Sequence, residues 1–262
     1  IPMDRNGPLW GPMERQRPWG GPAALTMARQ PRLAVAGELH HLLLRGHNGQ
    51  AVFADDADRA AFVELLREPA ARQGVAIHAY ALLVAEVHLL VTPAQAESLG
   101  RLMQSIGRRY VALVNRRHAR RGTLWDGRFR SSILDGRTLL LPATLHIETL
   151  PVRAGLVAAA QDWEWSSAAH HTGARRDLLV SDHALYWRLG NTPFEREQAH
   201  TLALHEAQQG AEDPRFGQAV TKALALGSAG FVHRMAELLG RPLASRPRGR
   251  PHGRTANKIV PN

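Results

Sequence analysis

Apolar and polar positions follow two different periods along this chain, and the switches between them outline its elements. ELHHLLLRG (38–46) is a short apolar run closed by glycine, which predicts a buried strand ending in a turn. In DDADRAAFVELLREPAARQG (55–74), Ala61, Phe62, Leu65 and Leu66 recur at helical spacing, and Asp55 or Asp56 can cap the orphan N–H groups of the first turn. Pro69 is expected to kink or end that helix. VAIHAYALLV (75–84) and EVHLLVTP (86–93) predict two strands with little between them. Residues 94–121 form the longest helix candidate, with Leu102, Ile106, Tyr110, Leu113 and Val114 on one side. TLWDGRFRSSILD (123–135) predicts a strand with a turn or bulge near Gly127. RTLLLPATLHIETL (137–150) is helical in composition, although Pro142 stands in its middle. Beyond residue 195 the pattern is helical again, in three segments.

The order strand–helix–strand–strand–helix–strand–helix predicts an α+β fold, an antiparallel sheet with helices on one face, followed by a helical C-terminal extension. Residues 1–26 contain five prolines and four glycines without periodicity, and MARQPRL at Met27 reads as a more natural start. They are expected to be disordered or upstream sequence. The domain itself is expected over residues 27–175, the extension over 176–240 and a basic disordered tail over 241–262. No apolar run approaches the ~20 residues of a membrane-spanning helix. No signal segment opens the chain, so a cytoplasmic location is the expectation. The absence of cysteine excludes disulfides, thiolate zinc sites and cysteine nucleophiles.

Charge changes this picture more than composition does. The formal net charge is +10, and of the 33 basic residues only Lys222 and Lys258 are lysines. A GC-rich codon bias explains arginine in place of lysine, but not the net excess or its clustering. Between residues 101 and 130 nine arginines face a single acid, Asp126. So one-sided a run repels itself unless a polyanion neutralises it, and guanidinium groups grip phosphates with two parallel hydrogen bonds. Arg108, Arg109, Arg116, Arg117, Arg120, Arg121, Arg128 and Arg130 are therefore candidate phosphate contacts, with Trp125, Phe129 and Tyr110 as stacking surfaces for unpaired bases. PRGRP (247–251) is similar to the core of an AT-hook, and Arg248 and Arg250 are read as part of a non-specific electrostatic arm.

Candidate chemistry starts in ALLVAEVHLLVTP (81–93). On a strand, residues i and i+2 share a face, so Glu86 and His88 project together from an otherwise apolar run. The pair reads as a site for a divalent cation such as Mg²⁺ or Mn²⁺, or as a mutually satisfied polar pair. His40, His41, His47 and His78 read as packing or surface histidines, and Trp163 and Trp165 as hydrophobic anchors.

Several blocks then follow one another in register: HHLLLRGHNGQAVFADDADRAAFVELL, HAYALLVAEVHLLVTP, GRRYVALVNRRHARRGTLWDGRFRSSILD, PVRAGLV and DWEWSSAAHH. From Arg32 to His171 they resemble the REP-associated tyrosine transposases, a branch of the single-tyrosine HUH transposases. The resemblance implies a ferredoxin-like, HUH endonuclease-type domain that binds single-stranded DNA folded into palindromic hairpins, as a monomer or homodimer. It implies a strand motif of two histidines holding Mg²⁺ or Mn²⁺ against the scissile phosphate, and a helix tyrosine that forms a phosphotyrosine during DNA cleavage and strand transfer. Arg45 is then expected near the nucleic acid.

Carried over position by position, His88 matches the second histidine, while Glu86 stands at the first. The family's Tyr-Ile-x-x-Asn-Pro-Val-Arg-Ala-Gly reads HIETLPVRAG here, so His146 occupies the place of the nucleophile and Leu150 that of the asparagine. His146 is the candidate replacement nucleophile and Tyr110, at a structural position of the family, a spare one. The expectation is a transposase-family protein of DNA recombination that retains DNA binding with impaired cleavage. A domesticated DNA-binding module without catalysis, or a decayed relic, are the alternatives.

Overall fold

The computed structural model describes residues 32–244; the expectations for residues 1–26, for Arg248 and Arg250 and for most of the basic tail lie outside them. Five strands form one sheet in the order β2-β3-β1-β4-β5. They are β1 (Leu39–Arg45), β2 (Val75–Leu82), β3 (Glu86–Pro93), β4 (Arg130–Leu134) and β5 (Ala225–Leu226). The first four pair antiparallel, as predicted, and β5 adds to β4 in parallel. The helices are α1 (Asp56–Arg72), α2 (Ser98–Arg117), α3 (Gly136–Arg153), α4 (Ala168–His171), α5 (Pro193–Gln209), α6 (Pro214–Lys222) and α7 (Ala229–Leu239).

The period-2 pattern of the strands divides the core. Leu42 and Leu44 of β1 and Val87, Leu89 and Val91 of β3 join Phe62 and Leu66 of α1 and Leu99, Leu102, Ile106 and Tyr110 of α2 on one face. A bulge between Ile77 and Ala79 shifts the parity of β2, so Ile77, Tyr80 and Leu82 all reach that same layer. On the other face β2 presents Ala79 and Ala81, and these small side chains let α3 pack closely through Leu139, Leu140, Ala143 and Ile147. The α+β architecture is as expected. The single helical face is corrected: α1 and α2 cover one side, while α3 and α6 cover the other, because Leu39, Leu90 and Leu134 leave an apolar second face that must also be buried.

Pro142 does not break α3. It lies exposed on the outer side of the helix, and Asp135 caps the start by accepting from Arg137 N. Likewise α1 runs through Pro69, and the cap is Asp55, which accepts from Asp58 N at 3.0 Å. The strand expected from residue 123 begins only at Arg130; residues 123–129 form a loop with one bridge, Gly46 to Trp125. The C-terminal elements pack onto the sheet directly, β5 by pairing and α6 through Phe216. No helix among the described residues is long and apolar enough to cross a membrane.

Candidate active site and nucleic-acid interface

β1 and β3 run side by side with Arg45 opposite Glu86 and Leu43 opposite His88. This register aligns the odd positions of β1 with the even positions of β3 on the face covered by α3. Five polar side chains meet there. His88 Nε2 lies 3.0 Å from Glu86 Oε2, and Arg45 Nε donates to Glu86 Oε1 at 2.7 Å. His88 Nδ1 lies 3.0 Å from His41 Nε2, the two rings stacking at 5.2 Å. His146 of α3 comes edge-on to His41 at 5.9 Å between centroids. The two sequence-predicted positions, strand pair and helix histidine, therefore converge, with His41 between them. Sequence reasoning placed His41 among packing residues. Its signal was the parity of β1 relative to β3, which needs the register.

The electrostatics keep two of these imidazoles, His41 and His146, neutral. Burial, reinforced by His88 and His146, holds His41 well below the usual histidine range. Burial, together with His88 and Arg153, lowers His146 to about 4. Glu86 is held below the ordinary carboxylate range by its hydrogen bond to His88; partial burial opposes that, and Arg45 adds to it. His146 is also covered: its ring stacks on Phe216 of α6 at 4.9 Å and 29°, and only 7% of the residue is exposed. Nδ1 lies 3.9 Å from Glu212 Oε1.

For a hard divalent cation, half-buried Glu86 and buried His88 present Oε2 and Nε2 as two donors, the kind of sparse set that Mg²⁺ completes with water and phosphate oxygens. The pair offers a donor set of the right chemistry for such an ion, with Arg45 already paired to the same carboxylate. Two other groups among the described residues bring three potential ligands together, Glu148–His171–His200 and His170–His171–Asp182. In the first, buried Glu148 accepts from His171 Nδ1 at 2.6 Å, from His200 Nε2 at 2.7 Å and from Ser167 Oγ. A metal on His200 Nε2 would leave a proton on Nδ1, which is buried without a partner, whereas metal-bound histidines normally donate that proton to an acceptor. In the second, His170 Nδ1 accepts from Asp177 N, so Nε2 carries the proton and faces Asp182 as a donor. The first is a hydrogen-bonded network that ties α3, α4 and α5 together, and the second joins α4 to the segment that follows it.

Tyr110 is removed from the candidate nucleophiles. It points to the opposite face of the sheet, is fully buried, and donates to the Val52 carbonyl at 2.8 Å; burial raises the phenol further. The arginines divide. Arg117 spends its guanidinium on Asp55 and on buried Asp58, which also accepts from His118 and from Ala54 N. Arg109 reaches Glu68, Arg120 reaches Gln50, and Arg130 donates to the Thr221 carbonyl. Arg108, Arg116, Arg121 and Arg128 stand exposed with no carboxylate partner among the described residues. Trp163 and Trp165 are anchors as expected, donating to the Leu82 carbonyl and to Asp56.

No protein-family model matches this chain, and no curated protein does. Solved structures do. A REP-associated tyrosine transposase bound to a REP hairpin is 16% identical, with a TM-score of 0.47 over 60% of this chain and 96% of the other. A protein described as a transposase, from Deinococcus radiodurans R1, is 20% identical, with a TM-score of 0.32 over 44% of this chain and 93% of the other.

Proposed function

We propose that this chain is a transposase-family protein that binds structured single-stranded DNA and has lost ordinary cleavage. The observation that carries the reading is the convergence of Glu86, His88 and His146 on one face of the β1–β3 pair, in the places where the resemblance puts metal ligands and nucleophile. The exposed arginines of α2 and the following loop supply the phosphate-binding charge.

The chemistry at this site is impaired for physical reasons. An attacking group must reach within about 3–3.5 Å of phosphorus, in line with the leaving oxygen. His146 is neutral and so carries a lone pair, but Phe216 lies flat against its ring and α6 blocks the approach. A divalent ion held by Glu86 and His88 would polarise a phosphate oxygen; the protein itself contributes the orientation of His88 through Glu86 and His41. What remains competent is binding.

Incubating the protein with hairpin-bearing single-stranded DNA and Mg²⁺ or Mn²⁺ tests this. The expected result is hairpin binding over a scrambled strand, with no cleavage and no covalent adduct. An adduct abolished by His146→Ala overturns the loss of cleavage. Equal affinity for hairpin and scrambled strands overturns the recognition, leaving a relic.

A further inference from the structure

A second feature of the molecule adjoins the site around His88 and shares Arg45 with it. On the α2 side, a cleft of about 510 Å³ opens between α2 and the loop preceding β4. Its size is that of a small-molecule pocket. Its floor is a single stripe of α2 at helical spacing: Gly100, Met103, Gln104 and Gly107. Glycine inside a helix is destabilising, and here neither packing nor backbone requires it. A Cβ on Gly107 would meet nothing within 4 Å, and one on Gly100 would meet only Arg32 Nη1 at 3.9 Å. Both glycines lack positive φ. Their effect is to leave the floor of the cleft bare.

The walls carry the chemistry. Arg101 and Arg128 are exposed without a carboxylate partner among the described residues, against Glu97 and Asp126 on the same lining. The Arg32 guanidinium lies 4.6 Å over the Phe129 ring. Guanidinium planes and aromatic faces are the surfaces on which unpaired bases stack. Trp125 closes the inner end, packed on Phe62 and Tyr110. Arg45 lines the cleft while holding Glu86, so the cleft borders the strand ends that carry the candidate site.

We propose that this cleft seats one unpaired nucleotide of a single DNA strand, its phosphate on Arg101 and Arg128 and its base against the Arg32–Phe129 stack and Trp125. The assignment rests on the DNA-binding reading above and adds a place where an extrahelical base is read. A duplex, whose bases are stacked inside, does not present one, so the cleft separates single strands from blunt stems.

Gly107→Leu tests it, because leucine favours the helix, leaves every charge in place and fills the floor. Binding is measured by fluorescence anisotropy with labelled decathymidylate and with a blunt hairpin, on full-length protein whose thermal unfolding is recorded in parallel. The expected result is about tenfold weaker binding of decathymidylate, the worth of one stacked base, with hairpin affinity and folding retained. Arg101→Gln with Arg128→Gln should weaken decathymidylate more than the hairpin. Unchanged decathymidylate binding in Gly107→Leu, or an equal loss of both probes, overturns the cleft assignment while leaving the DNA-binding reading intact. Failure of the unaltered protein to bind either probe overturns that reading itself.

Discussion

Replacing Glu148 with glutamine is expected to damage this fold more than any substitution in the candidate site. The carboxylate is fully buried and accepts from Ser167, His171 and His200, joining α3 to α4 and α5. Burial alone would raise its pKa, but the charges of His171 and His200 and their hydrogen bonds outweigh that and hold it below the usual carboxylate range. Glutamine keeps the shape and removes the charge, and its amide can accept through one oxygen only. Breaking a buried ion pair by removing one partner costs about 3–5 kcal/mol, against a total stability of roughly 5–15 kcal/mol for a natural domain. For a chain of this size that lowers the melting temperature by roughly 6–20 °C. Urea unfolding followed by circular dichroism should show a lower midpoint with an unchanged m-value. The pH dependence has a defined sign. With the folded pKa below the ordinary value of 4.5, the contribution is fully present above 4.5 and is lost as pH falls through the folded value. The gap between protein and variant should therefore be flat from pH 7 to 5 and narrow below 4.5. A midpoint shift worth less than about 1 kcal/mol at pH 7, the worth of an ordinary hydrogen bond, refutes the ionic clamp. So does a gap that widens in acid.

Three further outcomes follow from the same geometry. His40, His41, His78 and His146 are all held neutral chiefly by burial, with His40, His78 and His146 lowered to about 4. Each takes up a proton on unfolding below its ordinary value of 6.5, so stability should fall as pH drops from 6.5 toward 4, by up to about 1.4 kcal/mol per pH unit for each histidine; constant stability from pH 7 to 5 by chemical denaturation contradicts this. Phe216→Ala removes the ring stacked on His146 at a cost of about 3–5 kcal/mol and should let the His146 resonance titrate closer to 6.5 by NMR; an unmoved titration means that Phe216 is not what shields it. Arg108→Gln with Arg121→Gln should reduce the log–log salt slope of single-strand binding by about 1.4, whereas Arg117→Gln, by freeing buried Asp58, should lower stability instead.

Much of the architecture was legible from periodicity. Four strands, both long helices and α3 were readable because side-chain alternation and helical spacing are local, and the paired projection of Glu86 and His88 is a consequence of one strand's pleat. Exposure of Arg108 and Arg121 follows from the polar side of α2 and from the loop beyond it. Boundaries set by partners were not legible. β4 is defined by its pairing with β1, from Arg130 opposite Leu43 to Leu134 opposite Leu39, and β5 exists as a strand only because β4 has a free edge.

For the site, the sequence alone determined which chemistry is present: one histidine and one carboxylate on a strand, a histidine where the resembling family has tyrosine, and an excess of arginine. Only the tertiary structure decided what these groups can do. The β1–β3 register inserted His41 between His88 and His146, although 47 residues separate the two hydrogen-bonded histidines. Packing put Tyr110 on the wrong face, committed Arg117 to Asp58, and laid Phe216, from the C-terminal extension, over His146. The physical reason is common to all four. A residue's face is set by its own backbone, but its neighbours, its access to solvent and its proton affinity are set by segments that are distant in the chain and adjacent only after folding.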